Sequence, residues 1–262
     1  ILKNCDIHPD KDFGQNFLTD PRLCQNIINS LKIESNDKVL EIGPGLGSLT
    51  HWLTQCSDID LTVVDVDPNM IAFLNVFYKD TKLNIVENDI RKHDVSIYDR
   101  IVGNLPYNIT TELVTYLLLN SSSCKKMVLM TQAEAYPRFY VTKGKDYGPV
   151  SILLHLLGDT KKLYNAPRGS FIPTPKVDSV VFEINFDESK DRDTAIKVYR
   201  LAKSLFLNRR KTLYNNLSRH LGNKEAAETI ISSLGLKPTV RPEELDPESF
   251  KKLYFAVKSV EK

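Results

Sequence analysis

Lys38-Val39-Leu40-Glu41-Ile42-Gly43-Pro44-Gly45-Leu46-Gly47 reads as an apolar strand running directly into a glycine turn, with Ser48 and a helical pattern behind it. Glycines at that junction let the backbone approach a ligand at the carboxyl end of a strand, where open α/β sheets bind nucleotides. A dinucleotide fingerprint would carry a third glycine where Ser48 stands, so the spacing disfavours a nicotinamide enzyme. Outward from this turn, the β-branched runs Asp60–Val64, Leu83–Glu87, Asp99–Val102 and Lys126–Thr131 alternate with helical patterns. Such alternation predicts an α/β fold with a mostly parallel sheet. The last run, Lys176–Phe186, follows a Pro-rich turn instead of a crossover helix and is expected to enter antiparallel, as part of a hairpin. Asp20-Pro21, Asp67-Pro68 and Asp246-Pro247 each join an N-cap acid to a proline at the first helical position. Behind the first of them, Leu23, Ile27, Ile28 and Leu31 make one apolar stripe.

With 262 residues, 42% hydrophobic and 26% charged, the chain suffices for one large α/β domain and a modest appendage, and its composition excludes collagen, coiled coil and wholesale disorder. No apolar run approaches the roughly 18 residues that span a bilayer, and the first residues lack the apolar core of a secretory signal. Residue 1 is not Met, which leaves room for a removed leader. Cys5, Cys24, Cys56 and Cys124 are far apart and form no Cys-x-x-Cys pair, so neither disulfides nor structural zinc is expected, and a reducing compartment is. The net charge of +2 is uninformative, but its distribution is not. Between Tyr199 and His220 lie Arg200, Lys203, Arg209, Arg210, Lys211 and Arg219 with no acid, which suits a phosphate backbone or, more simply, a solvated charged face. The charged stretch from Asp187 to Asp193 places a domain boundary, giving a sheet domain over 1–187 and a helical one over 188–262. A straight helix from Tyr199 to Leu217 would put Arg209 inside the arc of Leu201, Leu205, Leu213 and Leu217, so a break is expected near Asn208.

Three further strand ends carry polar groups. Asp65 lies where a carboxylate can accept hydrogen bonds from both ribose hydroxyls, whereas nearby Asp67 is explained as an N-cap. Asp89 would accept from an adenine amino group, or else serve as another cap or turn residue. Gly103-Asn104-Leu105-Pro106-Tyr107 decides between these readings. The exocyclic amine of adenine is a poor nucleophile because its lone pair is delocalised into the ring. Acceptors that hold its two N–H bonds favour the pyramidal geometry needed to attack an electrophilic methyl. The Asn104 side-chain oxygen and the Leu105 carbonyl would be those acceptors, with Pro106 fixing the turn and Tyr107 stacking on the base. No metal or general base is required. In isolation the same motif would be a proline turn with a core tyrosine.

Taken in series these residues resemble the KsgA/Erm family of adenine-N6 dimethyltransferases that act on ribosomal RNA, nearly end to end. Phe13-Gly14-Gln15-Asn16-Phe17-Leu18 is similar to the family's opening signature, which implies that Asn16 and Leu18 contact S-adenosylmethionine. By the same resemblance Glu41, Gly43 and Gly45 belong to the methionine-side loop, Asp65 holds the ribose, Asp89 the adenine amino group, and Asn104 both cofactor and target. Phe171, in Phe171-Ile172-Pro173-Thr174-Pro175-Lys176-Val177-Asp178-Ser179, would sandwich a flipped adenine against Tyr107; on residue type alone it is a core aromatic. The second position of the Asn104 motif, Leu105, favours the KsgA branch, as do Phe206–Leu217 and Arg241-Pro242-Glu243-Glu244-Leu245. Departures fall at Asp65, where the family usually carries Glu, and at Ala133, where a basic residue is common.

The resemblance implies a Rossmann-like class I methyltransferase domain followed by a small all-α C-terminal domain. It implies dimethylation of two adjacent adenosines in the 3′-terminal hairpin loop of small-subunit rRNA on an immature subunit, with S-adenosylhomocysteine released. Arg209, Arg210 and Lys211 would contact the RNA. A monomer in the cytoplasm or an organelle is expected, without a metal. The alternatives are large-subunit dimethylation of the Erm type and a non-catalytic assembly or transcription factor of the same fold.

Overall fold

A computed structural model describes residues 15–260, so Phe13, Gly14 and Cys5 lie outside the described residues. In chain order the elements are β1 (Phe17–Leu18), α1 (Pro21–Leu31), β2 (Lys38–Ile42), α2 (Thr50–Leu53), β3 (Asp60–Asp65), α3 (Pro68–Phe77), β4 (Leu83–Glu87), β5 (Arg100–Asn104), α4 (Thr110–Asn120) and β6 (Lys126–Gln132). Then come α5 (Pro137–Tyr140), α6 (Pro149–Leu157), β7 (Gly158–Ala166), β8 (Phe171–Ile172), β9 (Ser179–Phe186), α7 (Arg192–Leu205), α8 (Leu213–Leu221), α9 (Lys224–Ser233) and α10 (Pro247–Val260).

Seven strands form one sheet in the order β4-β3-β2-β5-β6-β9-β7. The pairs from β4 to β6 are parallel and β9 joins β6 antiparallel. The chain builds outward from β2 through β3 to β4, then returns to lay β5 on the other flank of β2. That reversal is a topological switch point, which opens a crevice beyond the strands' carboxyl ends. The antiparallel entry of the last strand matches the sequence reading, although the strand begins only at Ser179. β7 was not anticipated: Gly158-Asp159-Thr160-Lys161-Lys162-Leu163-Tyr164-Asn165-Ala166 is polar and lacks alternation, as befits an edge strand.

Aspartates cap where the sequence placed them. Asp20 accepts from the backbone N–H of Arg22 and Leu23, Asp67 from Asn69 and Asp246 from Ser249. The α1 stripe of Leu23, Ile27, Ile28 and Leu31 is fully buried, in one cluster with Val39, Leu61, Val102, Val128 and Val181 from the sheet. Cys24 and Cys124 are buried and Cys56 is partly buried.

Two compact units emerge, and they divide the chain differently from the boundary read in the sequence. The sheet unit comprises the described residues up to Tyr136 together with Lys161–Phe186, and the helical unit comprises Pro137–Thr160 with Asp187–Lys262. Segment 137–160, assigned by sequence to the first domain, is therefore part of the helical unit. The reason is α6, whose Val150, Ile152, Leu153, Leu156 and Leu157 are all buried and which packs on α7 and α10. In that unit α7 gives way at Phe206–Asn208 to a 3-10 turn before Thr212 caps α8, which is the expected break.

At the amino ends of the strands, Arg100 Nε lies 2.9 Å from Asp37 Oδ2, and both side chains are almost wholly buried. Asp37 also accepts from the Glu34 N–H at 2.8 Å. Removing Asp37 leaves the buried guanidinium only the exposed Glu34 carboxylate, 3.5 Å from Nη2, so Asp37→Ala should lower the unfolding free energy by about 2–4 kcal/mol. Urea titration checks this, and a loss below about 1 kcal/mol would mean that Glu34 or water takes over the Arg100 charge.

Candidate active site

The carboxyl ends of β2, β3 and β5 open on a cavity of about 370 Å³, a size suited to a nucleoside-scale ligand. Its wall includes residues 15–18, which form a strap tied to three separate loops. Gln15 Nε2 donates to Asp67 Oδ2 at 2.6 Å, Asn104 Nδ2 donates to the Asn16 carbonyl at 2.9 Å, and Ser48 Oγ donates to the Leu18 carbonyl at 2.6 Å. The Phe17 ring occupies the space beside Gly45, where a Cβ would come within 2.8 Å of it, and Gly45 itself has φ +53°. Only glycine satisfies both demands at that position. Asn16 and Leu18 line the cavity, as do Glu41, Gly43, Gly45, Asp65, Asp89, Asn104, Leu105, Pro106 and Tyr107.

The three acids of the wall differ in environment. Glu41 is 1% exposed, and burial pushes its carboxyl from the ordinary 4.5 to about 8, against the hydrogen bond donated by Thr50 Oγ1 at 2.6 Å. Asp65 is also raised, first by burial, while its oxygens accept from the N–H groups of Asp67 at 3.0 Å and Gly45 at 3.3 Å. The short side chain thus braces the glycine loop. Asp89 is held below the usual range, first by hydrogen bonds from the Arg91 side chain, whose Nη2 donates to Oδ2 at 2.7 Å. Arg91 in turn reaches Glu112 on α4 at 2.7 Å. Asp89 also caps the 3-10 turn Ile90–Lys92, so it is a cap residue that lines the cavity.

At the end of β5, Asn104 is oriented unambiguously. Its amide nitrogen is committed to the Asn16 carbonyl, and its Oδ1 is buried without a hydrogen-bond partner. A buried acceptor in that condition is costly unless a ligand supplies a donor. The Pro106 carbonyl is taken by the N–H of Ile109 at 3.3 Å and by Thr110 Oγ1 at 2.9 Å, which turns the chain into α4.

Two predicted assignments fail. Phe171 does not line the cavity: it is 1% exposed, pairs with Leu18 in the β1–β8 ladder, and lies in the core cluster with α1. Its burial there makes it the core aromatic that residue type alone suggests, not a face for a base. Arg209 is not a free RNA contact, because its Nε pairs with Glu243 at 2.5 Å, its Nη2 donates to the Gly144 carbonyl at 2.6 Å, and its guanidinium lies 5.9 Å from the Phe206 ring centre. It staples the helical unit. Asn216, donating to the carbonyls of Asn208 and Thr212 at 3.1 Å each, ties the same turn, on which Arg210 and Lys211 are exposed. Sequence reasoning missed Gln15, Ser48 and Arg91 as wall residues; Ser48 drew notice only as an absent glycine, although its hydroxyl fastens the strap. Among the described residues, no cluster of three or more His, Cys, Asp or Glu side chains could hold a metal ion.

The ribosomal RNA adenine dimethylase family model matches residues 8–257. The chain is 32% identical to the ribosomal RNA small subunit methyltransferase A of Streptococcus thermophilus, covering 95% of this chain and 91% of that protein. Among solved structures, a dimethyladenosine transferase from Plasmodium falciparum superposes with a TM-score of 0.77 at 27% identity, over 93% of this chain and 98% of the other. The 23S rRNA methyltransferase ErmE superposes with a TM-score of 0.69 at 21% identity, over 93% and 100%, which bears on the fold alone.

Glu41 gives the site a stability cost with a definite sign. Its folded pKa of about 8 exceeds the unfolded value, so the folded state binds the extra proton between them, and stability falls as pH rises from roughly 4.5 to 8. Glu41→Gln, neutral and similar in shape, should therefore raise Tm relative to the parent more at pH 8 than at pH 5. Thermal melts at the two pH values check this; an equal shift at both would place the ionisation elsewhere.

Proposed function

Because the chain belongs to the ribosomal RNA adenine dimethylase family, we propose that its cavity takes S-adenosylmethionine and that the Asn104–Tyr107 segment presents an adenine to it. The protein is an S-adenosylmethionine-dependent rRNA adenine dimethyltransferase. The observation that carries the residue-level reading is the partnerless Asn104 Oδ1 at the cavity wall. The residues present fit the cofactor: the glycine turn allows close backbone approach, Glu41 meets the amino-acid end, Asp65 the ribose and Asp89 the adenine amino group, with Asn16 and Leu18 closing the strap side. When bound, the cofactor supplies a methyl group made electrophilic by its sulfonium.

The work of this chain is to turn a poor nucleophile into a competent one. Asn104 Oδ1 and the Leu105 carbonyl accept the two N–H bonds of the target amine, so that its lone pair leaves conjugation and points along the line of transfer. With the Pro106 carbonyl already committed to α4, the Leu105 carbonyl is the acceptor that adjoins Asn104. Tyr107 offers its ring to the base. Each transfer forms one N–CH3 bond, breaks one S–CH3 bond and releases one amine proton to water. Two rounds consume two cofactor molecules and give N6,N6-dimethyladenosine. No titrating side chain is asked to act as a base.

The substrate is the small-subunit rRNA, as for the relative of 32% identity, with two adjacent adenosines of the 3′-terminal hairpin loop on an immature subunit as the target. An unpaired loop base is splayed out at lower cost than a paired one. Arg210 and Lys211 supply backbone contacts. The protein acts as a cytoplasmic monomer without a metal.

Labelled methyl transfer to small and large subunits lacking the modification, followed by nucleoside analysis, tests the reaction and its target together. Dimethyladenosine in the small subunit is expected, and label confined to the large subunit would overturn the substrate assignment. Asn104→Ala should lower transfer by about 10²–10³-fold, the scale of losing one aimed polar group, while RNA binding persists. Reversing Arg210 and Lys211 to Glu should weaken RNA binding and flatten its salt dependence, with cofactor affinity unchanged, whereas Arg209→Ala should chiefly lower Tm. A filter-binding series over salt and a melt separate the two effects.

A further inference from the structure

Tyr107 Oη and Ser179 Oγ are 2.6 Å apart, the two residues being 72 positions distant in sequence. Ser179 is 1% exposed and opens β9, in register with Gln132 at the end of β6. The residues on either side of Tyr107 are fixed as well: the Leu105 N–H donates to the Met130 carbonyl of β6 at 3.0 Å, Ile109 N–H and Thr110 Oγ1 donate to the Pro106 carbonyl, and Thr131 Oγ1 of β6 donates to Thr110 Oγ1 at 3.2 Å. The segment that carries the ring is thus held to β6 and the ring's hydroxyl to β9, while Tyr107 lines the cavity.

We propose that Ser179 is a positioning residue for the methyl transfer: its hydroxyl fixes where the Tyr107 ring stands in the cavity wall, and through it the placement of the stacked target adenine. The proposal rests on the reading of Tyr107 as the platform for that base. Burial explains why a hydroxyl here needs a partner, but not why the partner is the one aromatic ring of the Asn104 motif. A phenol anchored only at Cβ swings about χ1, and a base resting on it would carry its amine out of line with Asn104 Oδ1. Fixing the hydroxyl removes that freedom before the base arrives, so orientation is preset in the protein. Sequence reading singled out Ser179 only as the last residue of the post-sheet signature. The pairing of β9 with β6 gives it a task, and it is Ser179, not Phe171, through which that signature reaches the cavity wall.

Ser179→Ala removes the tether and Tyr107→Phe removes the hydroxyl while keeping the ring. Each should lower kcat about three- to tenfold, the scale of one lost hydrogen bond, with the KM for S-adenosylmethionine unchanged. The double variant should be no slower than the slower single one, since both break the same contact. With 2-aminopurine in place of the target adenosine, both variants should give brighter bound RNA than the parent, reporting looser stacking. Folded Ser179→Ala with unchanged kcat and fluorescence, or losses that multiply in the double variant, would overturn the proposal. The χ1 rotamer populations of isotope-labelled Tyr107, compared by NMR between the parent and Ser179→Ala without RNA, keep the two readings apart. Absence of transfer by the parent would sink the functional assignment, while equal χ1 populations in both proteins would sink the tether.

Discussion

The lateral approach of β5 to β2 is the constraint on which the site depends. Gly103 sits opposite Ile42, where a Cβ would lie 2.8 Å from the Ile42 carbonyl oxygen. Any side chain there would have to push the strands apart, against a parallel ladder running from Val39 to Ile42. The next residue on each strand, Gly43 and Asn104, then emerges as a neighbour across the crevice, a Cβ on Gly43 falling 3.8 Å from the Asn104 carbonyl. The glycine loop and the Asn104 amide, proposed to take cofactor and target, are adjacent because two backbones touch. The switch-point topology supplies the crevice, and this glycine sets its width.

The strap of residues 15–18 completes the arrangement in a way no strand could. By taking the Asn104 amide nitrogen, the Asn16 carbonyl decides which end of that side chain faces the cavity, so an amide that could present either a donor or an acceptor presents an acceptor. The acids divide their labour by environment more than by type. Glu41 is proton-bound near neutrality through burial, whereas Asp89 is kept anionic by Arg91, which Glu112 holds in turn.

Much of this was legible in the sequence, because glycines, strand-end acids and the Asn104–Tyr107 run act through the backbone positions they occupy, and position is what sequence records. What was not legible depends on partners. Arg209 looks the same in sequence as Arg210, and only the approach of Glu243 and the Gly144 carbonyl makes it a staple. Phe171 is drawn into the core by its pairing with the strap, a contact across more than 150 residues of chain. β7 escaped notice because a polar edge strand has no apolar alternation to detect, and residues 137–160 because their apolar face says that they are buried without saying against what.

The insertion of residues 137–160 into the sheet unit's chain changes how the protein can be divided. Covalently the helical unit is made of two pieces, so no single cut releases it. A fragment ended near Asp187 would keep α6 and discard α7 and α10, leaving a row of leucine, isoleucine and valine side chains facing water. Such a fragment would be sticky in proportion to that surface, and its solubility would report on the missing helices instead of on the sheet. The architecture behaves in this respect like a woven joint: the chain passes between the two units three times, near residues 136, 160 and 186, and only breaks at all three would part the helices from the sheet.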